Sequence, residues 1–347
     1  MEQKNILISP LDWGIGHAAR CIPIINNFIN QGCSITIFAS EEINNFFKIR
    51  FGENIFYIND KSKPFSYNKK ISLLKIFHFA LKMKKNTIVE NRLCAELCEN
   101  KKYDLIISDN RYGFKHDNIK SVLITHQLMP IPPFIFRFSK PIIKNYLKKI
   151  FSSFSEVWVP DYKKPDGLAG KLSHVNFKIP NLKYINPLSR FEKLEINSLP
   201  IDENKILLIS SGPKNHRKII SKNFASIFEK IPNINVFIIG TTPFETKNKK
   251  INTIESPSDN EIFELITTSS IIIAGAGYST IMDLYALKRS AILVPTRGQT
   301  EQIYLSKLHE KNMLIARKFK TLKIMLENLK ETSYLLKKKE ENFNIFN

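Results

Sequence analysis

The chain has 347 residues, of which 43% are hydrophobic and 24% charged, and its 52 Lys and Arg against 32 Asp and Glu give a formal net charge of +20. This apolar content excludes a disordered chain, and the length predicts two domains, each able to bury a core. No apolar run reaches the ~18 residues of a membrane-spanning helix, and the N-terminus enters a strand pattern at once rather than a signal peptide. We therefore expect a cytoplasmic protein.

The positive charge and the cysteines each have two interpretations. Lys, Asn and Ile are abundant throughout, so the charge reflects either compositional bias or an anionic partner such as a membrane surface. No nucleic-acid-binding module is recognisable, so nucleic acid is not an expected partner. Cys94 and Cys98 have helical spacing, but no His or carboxylate pair completes a metal site, and we expect free thiols at Cys21, Cys33, Cys94 and Cys98.

The first half of the chain alternates strand and helix patterns. Short continuous apolar runs, typical of a parallel sheet covered on both faces, predict strands at residues 5–9, 34–39, 55–58, 105–108, 122–125 and 157–159. A helical pattern covers residues 17–31, and Gly32 suits the position just after its end.

The same alternation restarts after the proline-rich stretch 180–200. Strands are predicted at 205–210, 236–240, 251–254, 271–274 and 291–294, and helices at 216–230, 260–268, 279–287 and 301–310. The fold class is therefore α/β, with two tandem doubly wound, Rossmann-like units. We place these units at 1–185 and 203–330, with a linker at 186–202 and a C-terminal helix or tail at 331–347. Ligands in such sheets bind at the carboxyl ends of the strands, which predicts an interdomain cleft.

A first candidate site follows the first strand, where Gly14, Gly16 and His17 lead into a helix. The glycines let the backbone approach a ligand, and the helix N-terminus aims N–H groups at it. Ala19 occupies the third glycine position of the dinucleotide fingerprint, which makes dinucleotide binding a weak interpretation. The positive end of the helix disfavours the protonated form of His17, so this residue can serve as a general base. The alternative is a His that only caps the helix.

A second candidate site begins where the strand at 271–274 runs into Gly275-Ala276-Gly277 and a helix that starts with hydroxyl residues. The backbone N–H groups of residues 277–280 and the helix dipole predict an anion site suited to a pyrophosphate. Asp283, about one turn further, can accept the hydroxyls of a ribose. Taken separately, the glycines indicate a tight turn and Asp283 an exposed helix charge.

Two further segments add polar groups to the second unit. Glu301 and Gln302 begin a helix side by side, a pair well suited to holding sugar hydroxyls, although a Glu also favours any helix N-terminus. Ser211 and Gly212 follow the first strand of this unit and add hydroxyl and N–H donors for a phosphate.

Together these motifs resemble those of the GT-B glycosyltransferases, which use nucleotide sugars on two Rossmann-like units. The chain resembles most the family of the peptidoglycan lipid-intermediate N-acetylglucosaminyltransferase and its bacterial relatives. The resemblance covers nearly the whole chain and is strongest at residues 270–306. The chain differs from that family at Gly275, where a basic residue is common, and at 109–111, where Asp-Asn-Arg replaces a second glycine loop.

The resemblance implies a role for each candidate residue. Gly277, Ser279 and Thr280 would bind the donor diphosphate, with Asp283 on the ribose. Glu301 and Gln302 would bind the donor sugar, and Ser258 or Asp259 would lie near the base. In the first unit the catalytic candidates are His17 and Asp109, and the acceptor-side candidates are Gly14, Gly16, Asn110, Arg111, His126 and Gln127.

The resemblance also implies a reaction in which a hexose moves from a UDP-linked donor to a hydroxyl acceptor. In that family the sugar is N-acetylglucosamine and the acceptor is lipid-linked. No cofactor is expected, since the nucleotide sugar is itself a substrate. No carboxylate pair typical of a metal-dependent transferase is found in a suitable loop, and the helix N-terminus at 277–280 can stabilise the leaving diphosphate instead. One base, His17 or Asp109, suits direct displacement with inversion.

Two other classes stay open. The segment from Gly14 to Arg20 also resembles the glycine loop of GT-B-like nucleotide-sugar hydrolases of nonulosonic acid synthesis, in which the His would activate water. The third class is a non-catalytic protein that binds nucleotide sugars or an anionic surface. The products distinguish the three: UDP with a glycoconjugate, UDP or UMP with free sugar, or no turnover.

Two basic stretches lie in the proposed acceptor unit. Residues 65–86 and 132–154 mix Lys with Leu, Ile and Phe at helical spacing, a pattern suited to an anionic membrane surface. The alternative is a core-facing helix with a Lys-rich outer face. We therefore also consider peripheral attachment to the inner face of the cell membrane.

Overall fold

The computed structural model describes residues 3–62, 73–163, 167–192, 194, 199–212, 214–246 and 249–346. The chain divides into two compact units, Met1–Leu188 and Ser189–Asn347. The division falls inside the stretch 186–202 that we predicted as the linker. Residues 65–72 of the first basic stretch lie outside the described residues.

The first unit is built on a parallel sheet of seven strands. These are β1 (Asn5–Pro10), β2 (Ser34–Ala39), β3 (Phe56–Asn59), β4 (Leu105–Asp109), β5 (Lys120–Ile124), β6 (Glu156–Val159) and β7 (Leu182–Tyr184). Their order in the sheet is β3-β2-β1-β4-β5-β6-β7. The six predicted strands are confirmed with small shifts at their ends, whereas β7 lies just before the proposed linker and was not predicted.

The order of these strands reverses between β1 and β4, which are direct neighbours. Their register pairs Ser9 with Ser108 and Pro10 with Asp109. At such a reversal the connections from the two strands leave toward opposite faces of the sheet and open a crevice at their carboxyl ends. The first unit therefore places its candidate site between the end of β1 and the end of β4.

Four helices of this unit are α1 (Ile15–Asn30), α2 (Glu41–Phe51), α3 (Leu73–Asn100) and α4 (Lys140–Ser152). Helix α1 starts two residues earlier than predicted, and Gly32, with a φ of 75°, follows its end as expected. Its apolar face, which includes Ile22 and Ile25, packs against Ile6 and Ile8 of β1. This packing fixes the first turn of α1 over the carboxyl end of the sheet.

The second unit contains a parallel sheet of six strands. These are β8 (Asp202–Ile209), β9 (Asn235–Ile239), β10 (Ile251–Ile254), β11 (Ser269–Ala274), β12 (Ile292–Leu293) and β13 (Leu314–Ile315). Their order is β10-β9-β8-β11-β12-β13, so the reversal lies between β8 and β11. The segments after these two strands begin with Ser210 and Gly275, which places the proposed phosphate-binding segments at one edge of the sheet.

Helices cover both faces of this second sheet. They are α5 (Lys214–Phe228), α6 (Asp259–Thr268), α7 (Tyr278–Ala286), α8 (Thr300–Leu308), α9 (Phe319–Glu327) and α10 (Leu329–Glu340). Ile206 and Leu208 of β8 pack in one apolar cluster, and Leu207 packs in another on the opposite face. Each such fully buried side chain stabilises the unit by about 1.5–3 kcal/mol, which explains the continuous apolar runs.

The C-terminal segment packs on the second unit. Helix α10 begins at Leu329, just before the predicted boundary, and Lys337 Nζ lies 2.6 Å from Glu203 Oε1 of β8. Arg289 Nε donates to Glu340 Oε1 at 2.8 Å. The segment 331–347 is therefore, through α10, part of this unit's structure.

Within the described part of the chain, no helix has the length and apolar character needed to cross a bilayer. All four cysteines are free thiols, of which Cys21 and Cys94 are buried and Cys33 and Cys98 half-buried.

Candidate active site

The first candidate site is assembled from the ends of β1 and β4. Gly14 precedes α1 with a φ of 93°, in the left-handed region that favours glycine, and so lets the chain turn directly into the helix. His17 lies in the first turn of α1, and Asp109 is the last residue of β4. The sheet register therefore brings together two residues that are far apart in sequence.

His17 and Asp109 form a hydrogen-bonded pair. His17 Nδ1 lies 3.0 Å from Asp109 Oδ1, with the His17 side chain 16% exposed and the Asp109 side chain fully buried. When Nδ1 carries the hydrogen and donates to this carboxylate, the second ring nitrogen, Nε2, is the proton acceptor. The arrangement suits a base oriented by a buried carboxylate.

Arg20 is a third member of this cluster, to which we assigned no role from sequence. Its side chain is 1% exposed, Nε donates to Asp109 Oδ2 at 2.5 Å, and Nη2 donates to Asp109 Oδ1. Burial alone would raise the pKa of Asp109, but the charge of Arg20 and the hydrogen bonds from Arg20 and His17 hold that pKa well below its ordinary value. The signal in the sequence was the i, i+3 spacing of His17 and Arg20 on one helix face.

His126 also joins the cluster, since its Nδ1 lies 3.1 Å from Arg20 Nη1. It is 4% exposed and sits just after β5. Gln127 follows, and its backbone N–H donates to Thr125 Oγ1 at 3.1 Å. The structure thus brings His126 to the catalytic candidates, as part of a buried array.

Arg111 lies in a different environment from the one we expected for an acceptor-side residue. It is 6% exposed, its Nη1 lies 2.9 Å from Asp60 Oδ2, and its Nε lies 3.3 Å from Glu90 Oε1. Nη1 also donates to Ser9 Oγ at 2.8 Å. These contacts hold the guanidinium inside the unit, and the expected contact of Arg111 with the acceptor stays a prediction. Asn110 precedes it with a φ of 56°.

The second candidate site gathers three segments that we had selected separately. A Cβ atom on Gly275 would lie 3.1 Å from Ser211 Oγ and 3.9 Å from Gln302 Oε1. Gln302 Oε1 in turn accepts from the Thr296 N–H at 2.8 Å. The ends of β8 and β11 and the start of α8 therefore meet here. A side chain at position 275 would be in close contact with Ser211 Oγ, which would have to shift to make room.

The N-terminus of α7 opens onto this site. Gly277 is the residue before the helix and has no side chain with which to cap it, and no heavy atom lies within 4 Å of the position of a Cβ on Gly277. The first backbone N–H groups of a helix have no partner within the helix, and the dipole concentrates positive potential there. This arrangement can bind a phosphate group.

Asp283 lies in α7 but is not the exposed helix charge of the alternative interpretation. It is 7% exposed, Ser189 Oγ donates to its Oδ1 at 2.8 Å, and Arg190 Nη2 lies 3.2 Å from its Oδ2. Burial raises the pKa of Asp283, although Arg190 and Ser189 oppose this shift. A ribose at Asp283 would have to share the carboxylate with these partners.

Arg190 also reaches the residues that we placed near the base. Its Nη1 lies 3.3 Å from Asp259 Oδ1, so one guanidinium connects Asp259 and Asp283. Sequence reasoning missed Arg190 because it falls in the stretch assigned to the linker. Ser258 caps α6, accepting from the Glu261 N–H at 3.2 Å and donating its own N–H to Glu261 Oε2 at 2.7 Å. Its side chain thus has a structural role.

Comparison with known proteins gives a match at the level of a domain. Residues 212–344 match the C-terminal domain of glycosyltransferase family 28. An uncharacterized glycosyltransferase of Methanosarcina acetivorans is 24% identical over 170 residues, which are 46% of this chain and 43% of the archaeal protein. The alignment thus spans less than half of that relative's length.

Solved structures share the fold of the whole chain. CalG4, the calicheamicin glycosyltransferase, superposes with a TM-score of 0.64 at 12% identity, covering 99% of this chain and 94% of that protein. Arabidopsis thaliana UGT89C1, in complex with UDP-L-rhamnose, gives 0.59 at 13% identity, with coverage of 99% and 94%. Acinetobacter baumannii MurG gives 0.55 at 12% identity, with coverage of 98% and 94%. The chain therefore has the GT-B fold, and residues 212–344 in its second unit match the C-terminal domain of glycosyltransferase family 28.

Proposed function

We propose that this protein is a glycosyltransferase that moves a hexose from a nucleoside diphosphate sugar to a hydroxyl acceptor. The observation that carries the proposal is the position of the α7 N-terminus, beside Ser211 and Gln302, in the unit whose residues 212–344 match the family 28 C-terminal domain. This site has the donors for a diphosphate and polar groups for a sugar. The base that the reaction needs is His17 in the first unit.

The proposed reaction is a direct displacement. His17 Nε2 accepts the proton of the acceptor hydroxyl as its oxygen bonds to the anomeric carbon of the donor. The bond from that carbon to the diphosphate oxygen breaks, and the nucleoside diphosphate leaves with its bonding electrons. The positive end of α7 stabilises the negative charge of the leaving group, and Asp109 stabilises the imidazolium. A single displacement inverts the anomeric centre.

A UDP-linked donor is the version of this proposal that the sequence resemblance favours, with N-acetylglucosamine as its sugar. Among proteins of the same fold, UGT89C1 has been solved with UDP-L-rhamnose and the spinosyn rhamnosyltransferase SpnG with thymidine diphosphate. The second unit would bind such a nucleotide through Gly277, Ser279 and Thr280, with Ser211 and Gly212 beside them and Glu301 and Gln302 on the sugar.

The first test is an assay of the full chain against a panel of UDP- and TDP-linked sugars, with and without membrane extract. We expect release of nucleoside diphosphate together with labelled glycoconjugate, both unchanged by EDTA because the helix N-terminus stabilises the leaving group. Free sugar as the product would support the hydrolase instead. No turnover with any donor would support a binding protein. Loss of activity in EDTA that Mg²⁺ or Mn²⁺ restores would contradict the metal-independent mechanism.

A lipid-linked acceptor is the finer proposal, and one exposed surface supports it. Phe134, Phe138 and Ile142 are 77%, 65% and 72% exposed at the start of α4 and in the 3₁₀ turn before it. Exposed apolar side chains at such density mark an interaction surface. The exposed cations Arg137 and Lys140 lie in the same segment. Apolar side chains among cations suit the interface of an anionic bilayer.

We expect the protein to co-sediment with phosphatidylserine-containing vesicles at low salt and to be released at high salt. Each nearby Lys or Arg contributes about 1 kcal/mol to such attachment. Lys144 and Lys148 lie over the Phe177 ring, at 5.0 and 5.4 Å from its centre, so substitution of the apolar residues is the cleaner change. Phe134→Ser with Phe138→Ser and Ile142→Ser should abolish co-sedimentation.

The matched control is Ile49→Ser with Phe56→Ser, which removes apolar side chains that are 57% and 61% exposed elsewhere in the same unit. This control should sediment like the wild-type protein. The contribution of charge alone is tested by replacing Lys84, Lys85 and Lys149 with Ser. A wild-type protein that ignores anionic vesicles at low salt would contradict the membrane proposal and favour a soluble acceptor.

A further inference from the structure

A cation, the guanidinium of Arg20, lies within hydrogen-bond distance of both His17 and Asp109. Arg20 Nη2 lies 2.9 Å from His17 Nδ1 and donates to Asp109 Oδ1, while Nε holds the second carboxylate oxygen. The Arg20 side chain is 1% exposed and that of Asp109 is fully buried. Water therefore screens this charge very little, and its effect on both neighbours is strong.

We propose that Arg20 is a positioning residue, which keeps Asp109 ionised and correctly oriented and thereby keeps His17 available to accept a proton. The claim that Arg20 keeps Asp109 ionised and oriented rests on the geometry alone. The catalytic consequence rests on the proposed transferase function.

The first argument is the charge of the cluster. A fully buried carboxylate beside a neutral imidazole would favour its protonated form. With Arg20 present, the group of Arg20, Asp109 and neutral His17 has no net charge. Without Arg20 the remaining pair carries one negative charge in a buried site and binds a proton more readily. On His17 that proton occupies the base, and on Asp109 it removes the carboxylate charge that would stabilise the imidazolium.

The second argument is the orientation of the carboxylate. Arg20 donates to both oxygens of Asp109 from two nitrogens of one planar guanidinium, which fixes the plane of the carboxylate. Oδ1 is thereby held 3.0 Å from His17 Nδ1. A lysine at position 20 would keep the charge but would lose this paired geometry.

Other titratable groups face this cluster from three elements. Cys21 of α1 has its Sγ 3.8 Å from Asp109 Oδ2, and burial raises the pKa of this thiol well above its ordinary value. Burial likewise raises the pKa of Tyr112, after β4, to about 12. Both groups stay neutral near neutral pH. His126, after β5, carries the second imidazole of the cluster, so the experiment must separate the two histidines.

The experiment measures the titration of His17 directly, in protein labelled with [¹³C]histidine and followed by NMR. The His17 signal is assigned with His17→Asn, and His126→Gln is used as a background to remove the second titration. In Arg20→Gln we expect the midpoint of the His17 titration to rise by at least about one pH unit, since a cation in contact has been removed. The acid limb of the pH–rate profile should move by the same amount. In Arg20→Lys the midpoint should change little while kcat falls.

Arg111→Gln is the matched control, because it also removes a buried arginine that holds two carboxylates in the same unit. It should cost a similar amount of thermal stability and leave the His17 midpoint unchanged. In Asp109→Asn the midpoint of the His17 titration should fall instead, because Arg20 would then face His17 without its counterion. This second variant keeps the proposal testable if Arg20→Gln fails to fold.

An unchanged midpoint in folded Arg20→Gln, or a raised midpoint in Asp109→Asn, would overturn the proposal. A shifted midpoint with an unshifted pH–rate profile would remove the catalytic role of Arg20. If the wild-type protein transfers no sugar but the midpoints move as expected, the proposed function fails and the electrostatic inference stands.

Discussion

Replacement of His17 by alanine is expected to lower turnover by about 10²–10⁴-fold, the usual contribution of a general base. The binding of UDP should not change, because the proposed nucleotide site is built from residues of the second unit. The wild-type rate should fall as the pH drops, because the protonated imidazole cannot accept a proton. Single-turnover rates and calorimetry with UDP measure the two effects separately.

His116→Ala is the control for the loss of an imidazole from the same unit. His116 lies in the loop before β5, where its Nδ1 accepts from the Asn118 N–H at 3.2 Å. This variant should keep the wild-type rate. Near-normal turnover in His17→Ala would contradict the assignment of the base and would direct attention to His126, the other imidazole of the cluster.

The substitution Gly277→Asp is expected to weaken UDP binding by about 100-fold without unfolding the protein. A carboxylate beside the α7 N-terminus would repel a diphosphate bound there. A repulsion between like charges that costs about 3 kcal/mol of binding free energy corresponds to a loss of affinity of this size. The position has room for the side chain, and its φ of −78° is one that any residue adopts. Asp also caps helices better than Gly, so thermal stability should stay equal or rise by a few tenths of a kcal/mol.

Gly277→Asn separates charge from shape, because Asn caps a helix about as well as Asp and has nearly the same size. We expect this variant to retain most of the affinity for UDP in calorimetry. Equal losses of affinity in the Asp and Asn variants would indicate a steric effect. Unchanged affinity in both would remove the α7 N-terminus from the nucleotide site.

Much of the fold could be predicted because both sheets are covered on two faces. Strands such as β1, β2 and β11 are continuous apolar runs, and the helices between them have clear periodicity. The edge strands β7 (Leu182–Tyr184) and β13 (Leu314–Ile315) have only three and two residues. So short a segment carries no periodic pattern, and its strand identity comes from its neighbour in the sheet.

The candidate site was only partly predictable, and the arginines show the reason. His17 and the glycines could be found because their chemistry is local to one loop. Arg20 and Arg190 act through carboxylates 89 and 93 residues away in sequence, at Asp109 and Asp283, and only the folded sheets reveal those pairs. Arg111 shows the converse. In sequence it resembles a ligand-binding residue, but the fold supplies Asp60 and Glu90 to hold it.

The contact of Ser189 and Arg190 with Asp283 has a thermodynamic consequence. These two residues begin the second unit, and they hold the carboxylate that the donor ribose is proposed to use. A nucleotide that hydrogen-bonds to Asp283 shares the carboxylate with them, so binding of the nucleotide and the strength of this contact are linked equilibria. Linkage is reciprocal, and a change that loosens Arg190 must therefore alter nucleotide affinity by the same free energy with which the nucleotide loosens Arg190.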